Sequence, residues 1–511
     1  MTVVVVGNGP SAMILSFILS GNIPFYDPNT AHGPHPDCAL HHMLAGKYEG
    51  PDLAHSLIRA VHDSAILSYI ASGYNSFYSS SMLPVNLLLD TLISSDEVDF
   101  SSTADAKQTR VRWVYMPELA VDHRVIGSSS QPGGQWAQMS DADGPDELSL
   151  SYAEMVSLPG YSFSKYYKET YGVPLPEFTR PLRKDVAQFY AQYPKRVGID
   201  QYFENSAIVT CVDRKSDDSL CVCFVRSNGE SKSIACSQVV LASGVFEKPC
   251  ENKDSSSTPL SSFSQVSRLI TSAGTGTNAD NKLLQDNYTI VPPLSTPPCE
   301  DDDSSTLSGR RTATLVIGSG VSAAEAIDKC QHSSSVIYHI YKWDAKDKSK
   351  CPLRRYPEEL YPEYAAVYRA MAQYSDKGFK SSLSSDYVGL RNSRVVDIAP
   401  DGVVDIELES GMVRSFKVND IRVRTGRVGS LEFVTPKLLN WVSGHDSDHG
   451  YEDSSAYLVN KKTLRQKVPG FEHSLTVNDN VYAVGSVTGD TLIRFMLGGC
   501  LSVTGSIMNV V

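Results

Sequence analysis

Residues 3–12 read VVVVGNGPSA, and this stretch decides the fold. Four consecutive valines suit a central strand of a parallel sheet, covered on both faces. Gly7, Asn8, Gly9, Pro10, Ser11 and Ala12 then form a G-x-G-x-x-A turn. Gly7 permits the tight bend, Gly9 lets a pyrophosphate approach the backbone, and Ala12 allows close packing of helix on sheet. Pro10 suits the first turn of a helix, where its missing N–H would have had no partner. Ile14, Leu15, Ile18 and Leu19 place an apolar stripe on one helical face. A second strand is expected over Ile23–Tyr26, ending in Asp27. A carboxylate about 20 residues beyond the glycines usually receives a ribose hydroxyl.

A related pattern recurs at Thr314–Ile317, followed by Gly318, Ser319, Gly320, Val321, Ser322 and Ala323. The next strand, Val336–Ile340, leads into Lys342 and not into an acid. A cation there suits the 2′-phosphate of NADPH, although a solvated loop lysine is the plainer reading. Arg354 and Arg355 are further candidates for that phosphate. Two fingerprints call for two dinucleotides, or for one dinucleotide and a degenerate copy. FAD is expected in the first site and NADPH in the second, because a C-terminal segment matches the first.

That segment is Val481–Val484 with Gly485 and Ser486, followed by Asp490 and a helix through Phe495. A strand, turn and helix of this kind returns to an FAD domain and offers a helix N-terminus to the flavin. Ser486 stands where an acid is usual, and Asp490 is the candidate stand-in. The strand ends Ala242-Ser243-Gly244 and Arg424-Thr425-Gly426 put small residues where a chain crosses beneath a dinucleotide. Gly133, Gly134, Gln135 and Trp136 form a Gly-Gly-x-Trp loop that can lie beside the isoalloxazine and pyrophosphate. Gln135, Trp136 and Arg494 are the candidates for lining the reactive face, Arg494 by stabilising developing negative charge. The plainer readings are packing for Trp136 and an exposed helix position for Arg494.

Taken together, these stretches resemble the flavin-containing and N-hydroxylating monooxygenases in layout. They are more similar to the oxidative stress-induced growth inhibitor family, through VVVVGNGPSAMILSFILSG, PGGQWAQM, MVSLPG, LYPEYAAVY and VGSVTGDTLIRFMLGG. The resemblance implies an α/β fold of two Rossmann-like dinucleotide-binding domains, the NADPH domain inserted in the FAD domain. It also implies oxygenation of a small molecule by molecular oxygen through a flavin hydroperoxide. Its rivals are a flavin-dependent reductase or NADPH oxidase, a halogenase, and a growth-regulatory protein that binds nucleotides without turnover. Two departures stand out. The stretch after Pro249 lacks the Phe-x-Gly-x-x-x-His pattern of flavin-containing monooxygenases, and Arg427 stands where N-hydroxylases have an aromatic residue.

The length of 511 residues calls for more than one domain. The expected division is an FAD domain over 1–250, with an insertion at about 46–120, and a Ser/Pro-rich acidic linker over 251–309. An NADPH domain over 310–430 and a returning FAD segment over 431–511 complete it. The linker holds the runs 254–257 and 300–303, read as solvated. The composition, 41% hydrophobic and 20% charged, is that of a globular chain. A net charge of −12 with no basic run argues against nucleic acid. The ten cysteines show no metal-ligand spacing. The histidines at 32, 35, 41 and 42 lack acidic or cysteine partners at ligand spacing, so no metal is expected. No stretch reaches the roughly 20 apolar residues of a membrane span, and a cytoplasmic location is expected.

Overall fold

The computed structural model describes residues 2–510 apart from 31–32, 75–81, 94–108, 139–146, 217, 251–265, 267–288, 291–311, 333–335, 378–385, 400 and 443–453. The runs at 254–257 and 300–303, and the histidine at 32, lie outside the described residues. The chain forms two compact units, Met1–Lys248 with Val428–Val511, and Pro249–Arg427. Both are mixed α/β. Among the described residues, no helix is long and apolar enough to cross a membrane.

In the first unit, strand β1 (Val3–Val6) is buried at every position and leads into helix α1 (Pro10–Leu19). All ten residues of α1 are buried, so the helix packs on every side. The apolar stripe expected on one face is the part of that burial legible in the sequence. Strand β2 (Asn22–Tyr26) follows, then helix α2 (Pro84–Ile93), strands β3 (Val111–Tyr115) and β4 (His123–Ile126), helix α3 (Arg183–Arg196), and strands β5 (Phe203–Glu204) and β6 (Gln238–Leu241). The main sheet has six strands, in the order Thr476–Asn478, Val481–Ala483, β6, β1, β4, β5. Strand β1 runs parallel to both neighbours, with Val6 opposite Ile126 of β4 and Leu241 of β6. The returning strand Val481–Ala483 is parallel to β6, with Ala483 opposite Leu241. With Glu204 of β5 opposite Ile126, five carboxyl ends finish level along one edge, where ligands of open α/β sheets bind.

Strand β2 forms as expected but does not join this sheet. It pairs antiparallel with β3, Tyr26 opposite Val111 and Asn22 opposite Tyr115. The chain then passes the end of α1, where Met116 N–H donates to Gly21 O and Val121 N–H to Leu19 O, before entering β4. The excursion thus begins at Asn22, earlier than the expected insertion, and it is part of the core. Helix α2 lies against the returning helix Leu497–Ile507, and Asn86 Oδ1 accepts the Gly499 N–H at 2.7 Å. A side chain at Gly498 would strike the Val85 carbonyl, so the small residues of that helix set the approach.

The second unit contains β7 (Ala313–Ile317), α4 (Val321–His332), β8 (Val336–Tyr341), α5 (Pro362–Lys377), β9 (Tyr387–Arg391) and β10 (Asp420–Val423). Its five-stranded sheet runs Thr289–Ile290, β10, β7, β8, β9. Strands β7, β8, β9 and β10 are parallel. A separate antiparallel sheet of Arg394–Ile398, Val403–Glu407 and Val413–Lys417 adds Val404, Ile406 and Phe416 to the same core as Leu315, Ile340 and Ile421.

Candidate functional site: two glycine turns at parallel strand ends

Each fingerprint contains one glycine that the protein itself requires and one that it does not. Gly7 has φ +114°, and a Cβ on it would strike the Ala242 carbonyl oxygen beyond β6. Gly318 has φ +151°, and its Cβ would strike the Arg424 carbonyl oxygen beyond β10. In both, the first glycine lets the turn cross the end of the neighbouring strand. Gly9 lacks this constraint: it caps α1 at φ −80°, and its Cβ would have only Gly134 Cα nearby, at 3.8 Å. A Cβ at Gly320 would meet nothing within 4 Å among the described residues. The room beside these second glycines is what a pyrophosphate needs to reach backbone N–H groups at a helix start.

Around Gly9 the first unit gathers three more loops. The Gly-Gly-x-Trp segment lies on the fingerprint, with Gly133 N–H donating to Asn8 O at 2.9 Å. A Cβ on Gly134 would sit 2.9 Å from Gly9 Cα. The turn Gly485–Thr488 lies against the start of α1, where a side chain at Gly485 would strike the Ser11 hydroxyl. Beyond β6, Ser243 keeps a buried hydroxyl without a hydrogen-bond partner among the described residues. Helix α1 has no side-chain cap, and Pro10 occupies its first turn. Space beside Gly9, an uncapped helix start and a partnerless buried hydroxyl fit the phosphate and ribityl part of a dinucleotide.

The candidates in the first unit separate into two groups. Gly7, Gly9, Pro10, Ser11, Gly134 and Gly485 converge at the strand ends. Gln135 is exposed on the neighbouring loop, and Trp136 is half-buried with its ring edge-on to Tyr190 of α3, centroids 6.0 Å apart. Asp27, in contrast, stands at the end of β2, which is not a neighbour of β1. Its carboxylate accepts the Asn29 N–H at 3.0 Å and lies 3.9 Å from Arg112. Asp490 is buried among protein donors: Leu83 N–H at 3.1 Å, Asn86 Nδ2 at 2.6 Å and Arg465 at 3.1 Å. Burial pushes its carboxyl above the ordinary value even against these bonds. Arg494 forms a two-pronged ion pair with Asp90 of α2, at 2.7 and 2.9 Å, and is not an exposed helix residue. Asp490 and Arg494 both tie the returning segment to α2, which the sequence reading missed because Asn86 and Asp90 each lie 404 positions away.

In the second unit the expected residues do meet. Strand β8 is the parallel neighbour of β7, Ile340 opposite Ile317, and Lys342 follows its end. The Lys342 N–H donates to Ser319 Oγ at 2.8 Å, while its side chain is exposed. Val321 and Ser322 open α4. Arg354 and Arg355 are exposed on the turn Pro352–Arg355, Arg355 lying 5.2 Å from the centre of the Tyr356 ring. Thr425 and Gly426 lie just beyond β10, after Arg424, whose N–H donates to Ile317 O. His339, which sequence reasoning passed over, is fully buried on β8. Its Nε2 is 2.7 Å from Gly318 O and its Nδ1 2.7 Å from Tyr387 Oη. Desolvation pushes its pKa down to about 4, so the ring is neutral and Nε2–H donates to the Gly318 carbonyl.

Glycine turns at the carboxyl ends of parallel strands, each opening a helix, define a mixed α/β protein. The resemblance to the oxidative stress-induced growth inhibitors holds along the whole chain. Oxidative stress-induced growth inhibitor 2 of Homo sapiens is 25% identical over 98% of this chain and 92% of its own. Growth inhibitor 1 of Mus musculus is 26% identical over 99% of this chain and 95% of its own. No family model matches the chain. Among solved structures, bacillithiol disulfide reductase from Bacillus cereus is similar at a TM-score of 0.48 and 11% identity, covering 100% of this chain and 99% of that one. S-allyl-L-cysteine S-oxygenase from Allium sativum is similar at a TM-score of 0.45 and 11% identity, covering 100% of this chain and 76% of that one.

Proposed function

We propose that the protein is a flavin-dependent monooxygenase that binds FAD in the first unit and NADPH in the second, and oxygenates a small molecule. The observation that carries the cofactor reading is the pair of second glycines. Among the described residues nothing in the packing requires Gly9 or Gly320 to lack a side chain, whereas a bound pyrophosphate would require both. FAD held there would supply the redox chemistry of oxygenation, with NADPH as the source of electrons.

The chain's own residues bind, orient and shield. The start of α1 offers backbone N–H groups to the FAD pyrophosphate, and Gly485 keeps the returning turn close to Ser11. Gln135 and Trp136, on the loop beside Gly9, would border the flavin, and Tyr190 steadies the indole. Gly318, Ser319, Gly320, Val321 and Ser322 make the NADPH turn, with Thr425 and Gly426 beneath it. Lys342, helped by Arg354 and Arg355, pairs with the 2′-phosphate. Asp490 and Arg494 act through the fold: their bonds to Asn86 and Asp90 hold the returning segment on α2.

The test is direct. Purified protein is expected to release FAD, not FMN, on denaturation, and to oxidise NADPH in preference to NADH. A panel of amines, sulfides and phenols under heavy oxygen is expected to give one labelled product. A well-folded chain that takes up no FAD overturns the cofactor reading. FAD reduction with no label in any product overturns the oxygenase reading.

A further inference from the structure

A ribose-binding carboxylate belongs at the end of the strand beside the fingerprint strand. In the first unit that strand is β4, and after Ile126 the chain reads Gly127-Ser128-Ser129-Ser130-Gln131. A carboxylate at 127 is sterically barred, because any Cβ there would run into the Asn8 side chain. Asn8 is 3% exposed, and its amide group donates to Ser129 O at 3.1 Å, Gln131 O at 3.3 Å and Asn205 Oδ1 at 2.8 Å. Gly127 is held on its other side, its N–H donating to Glu204 O and its carbonyl accepting from Ala207 N–H, each at 3.0 Å. The carbonyls of 129 and 131 turn inward to Asn8, and the residues between and before them, Ser130 and Ser128, stand exposed.

We propose that Asn8 and Gly127 together replace the carboxylate: Asn8 locks the loop, and the hydroxyls of Ser128 and Ser130 receive the adenosine ribose. The ribose assignment rests on FAD occupying the first unit; the lock is a property of the chain alone. Asn8 is then a positioning residue, and the ribose end of this site is uncharged. Two hydroxyl donors in place of a carboxylate bind a diol with neutral hydrogen bonds, which are individually weaker than charge-assisted ones.

The experiment measures FAD dissociation by flavin fluorescence, and thermal unfolding of the FAD-free full chain, for a small set of variants. Ser128→Ala with Ser130→Ala is expected to weaken FAD about tenfold without moving the unfolding midpoint. Asp27→Asn is expected to change neither. Gly127→Ala is expected to lower the midpoint in the wild-type background and to do so much less in an Asn8→Gly background, where its Cβ has room. Unchanged FAD affinity in the serine variant, or a tenfold loss in Asp27→Asn, overturns the ribose assignment. Equal effects of Gly127→Ala in both backgrounds overturn the lock. A wild-type chain that takes up no FAD overturns the reading of the site together with the ribose assignment, and the unfolding cycle still decides the lock.

Discussion

The two glycine turns share a motif and a local geometry, and differ in what lies beside them. In the second unit α4 is followed at once by β8, which pairs with β7 and delivers Lys342 to the turn. In the first unit the strand after α1 is drawn into a hairpin with β3, and the place beside β1 is filled by β4, a hundred residues later. The glycine pattern specifies a turn through φ and sterics, over a few residues. The ribose determinant depends on which strand pairs with which, so reading it by counting residues works only where no excursion intervenes.

The comparison breaks first at the paired glycines. Gly7→Ala and Gly318→Ala should each cost about 3 kcal/mol or more, since both combine positive φ with a backbone collision. Denaturant unfolding should show similar losses for the two units. A loss below about 1 kcal/mol in either would break the equivalence of the turns.

The neighbouring strands sharpen the contrast through their histidines. His339 on β8 bonds the Gly318 carbonyl, whereas His123 on β4 lies between Ser16 Oγ and Val121 O, each at 2.8 Å. Burial lowers the pKa of both, and that of His339 from 6.5 to about 4. The unfolded chain therefore binds the His339 proton first, and stability falls as the pH drops from about 6.5 toward 4. A loss on the order of 3 kcal/mol is expected over that window, and His339→Gln should flatten it. An unchanged acid slope in that variant, followed by equilibrium unfolding, would remove His339 from the account.

Next come the glycines with room beside them. Gly9→Val and Gly320→Val should change stability by no more than about 1 kcal/mol while weakening FAD and NADPH respectively by about a hundredfold. Nucleotide titration of the folded variants checks this; unchanged affinity in both would mean that the space is not a phosphate path. Lys342→Ala should weaken NADPH about ten- to hundredfold and leave NADH unaffected, with Arg354→Ala and Arg355→Ala as smaller companions. Equal use of NADPH and NADH by the wild type would break the assignment of Lys342.

The smallest effect belongs to the returning segment. Arg494→Ala should cost about 1–2 kcal/mol by removing the two bonds that the guanidinium gives the Asp90 carboxylate, and adding Asp90→Ala should recover part of it. If the double variant were worse than the sum of the singles, the ion pair would not be what Arg494 contributes.

Much of the local design was legible. Four valines before a glycine, a proline opening a helix and small residues after each strand are short-range statements about φ, helix starts and packing, and β1, α1, β7 and α4 form at those places. The Ser319–Lys342 contact was within reach for the same reason, since only one helix separates the two strands. Asp27, Asp490 and Arg494 were a different matter. Each is a charged residue near a glycine motif, and nothing nearby in sequence reveals that Asp490 meets Asn86 or that Arg494 meets Asp90. Asn8 was read only as a spacer between glycines, because its partners at 129, 131 and 205 come within hydrogen-bond reach only when β4 settles beside β1. By itself the sequence determined where the chain turns tightly, which helices begin there and which segments are apolar enough for a sheet. Only the tertiary structure decided which strand flanks each turn, since strand pairing is settled by long-range burial of the sheet faces, and with it which side chains stand beside each glycine turn.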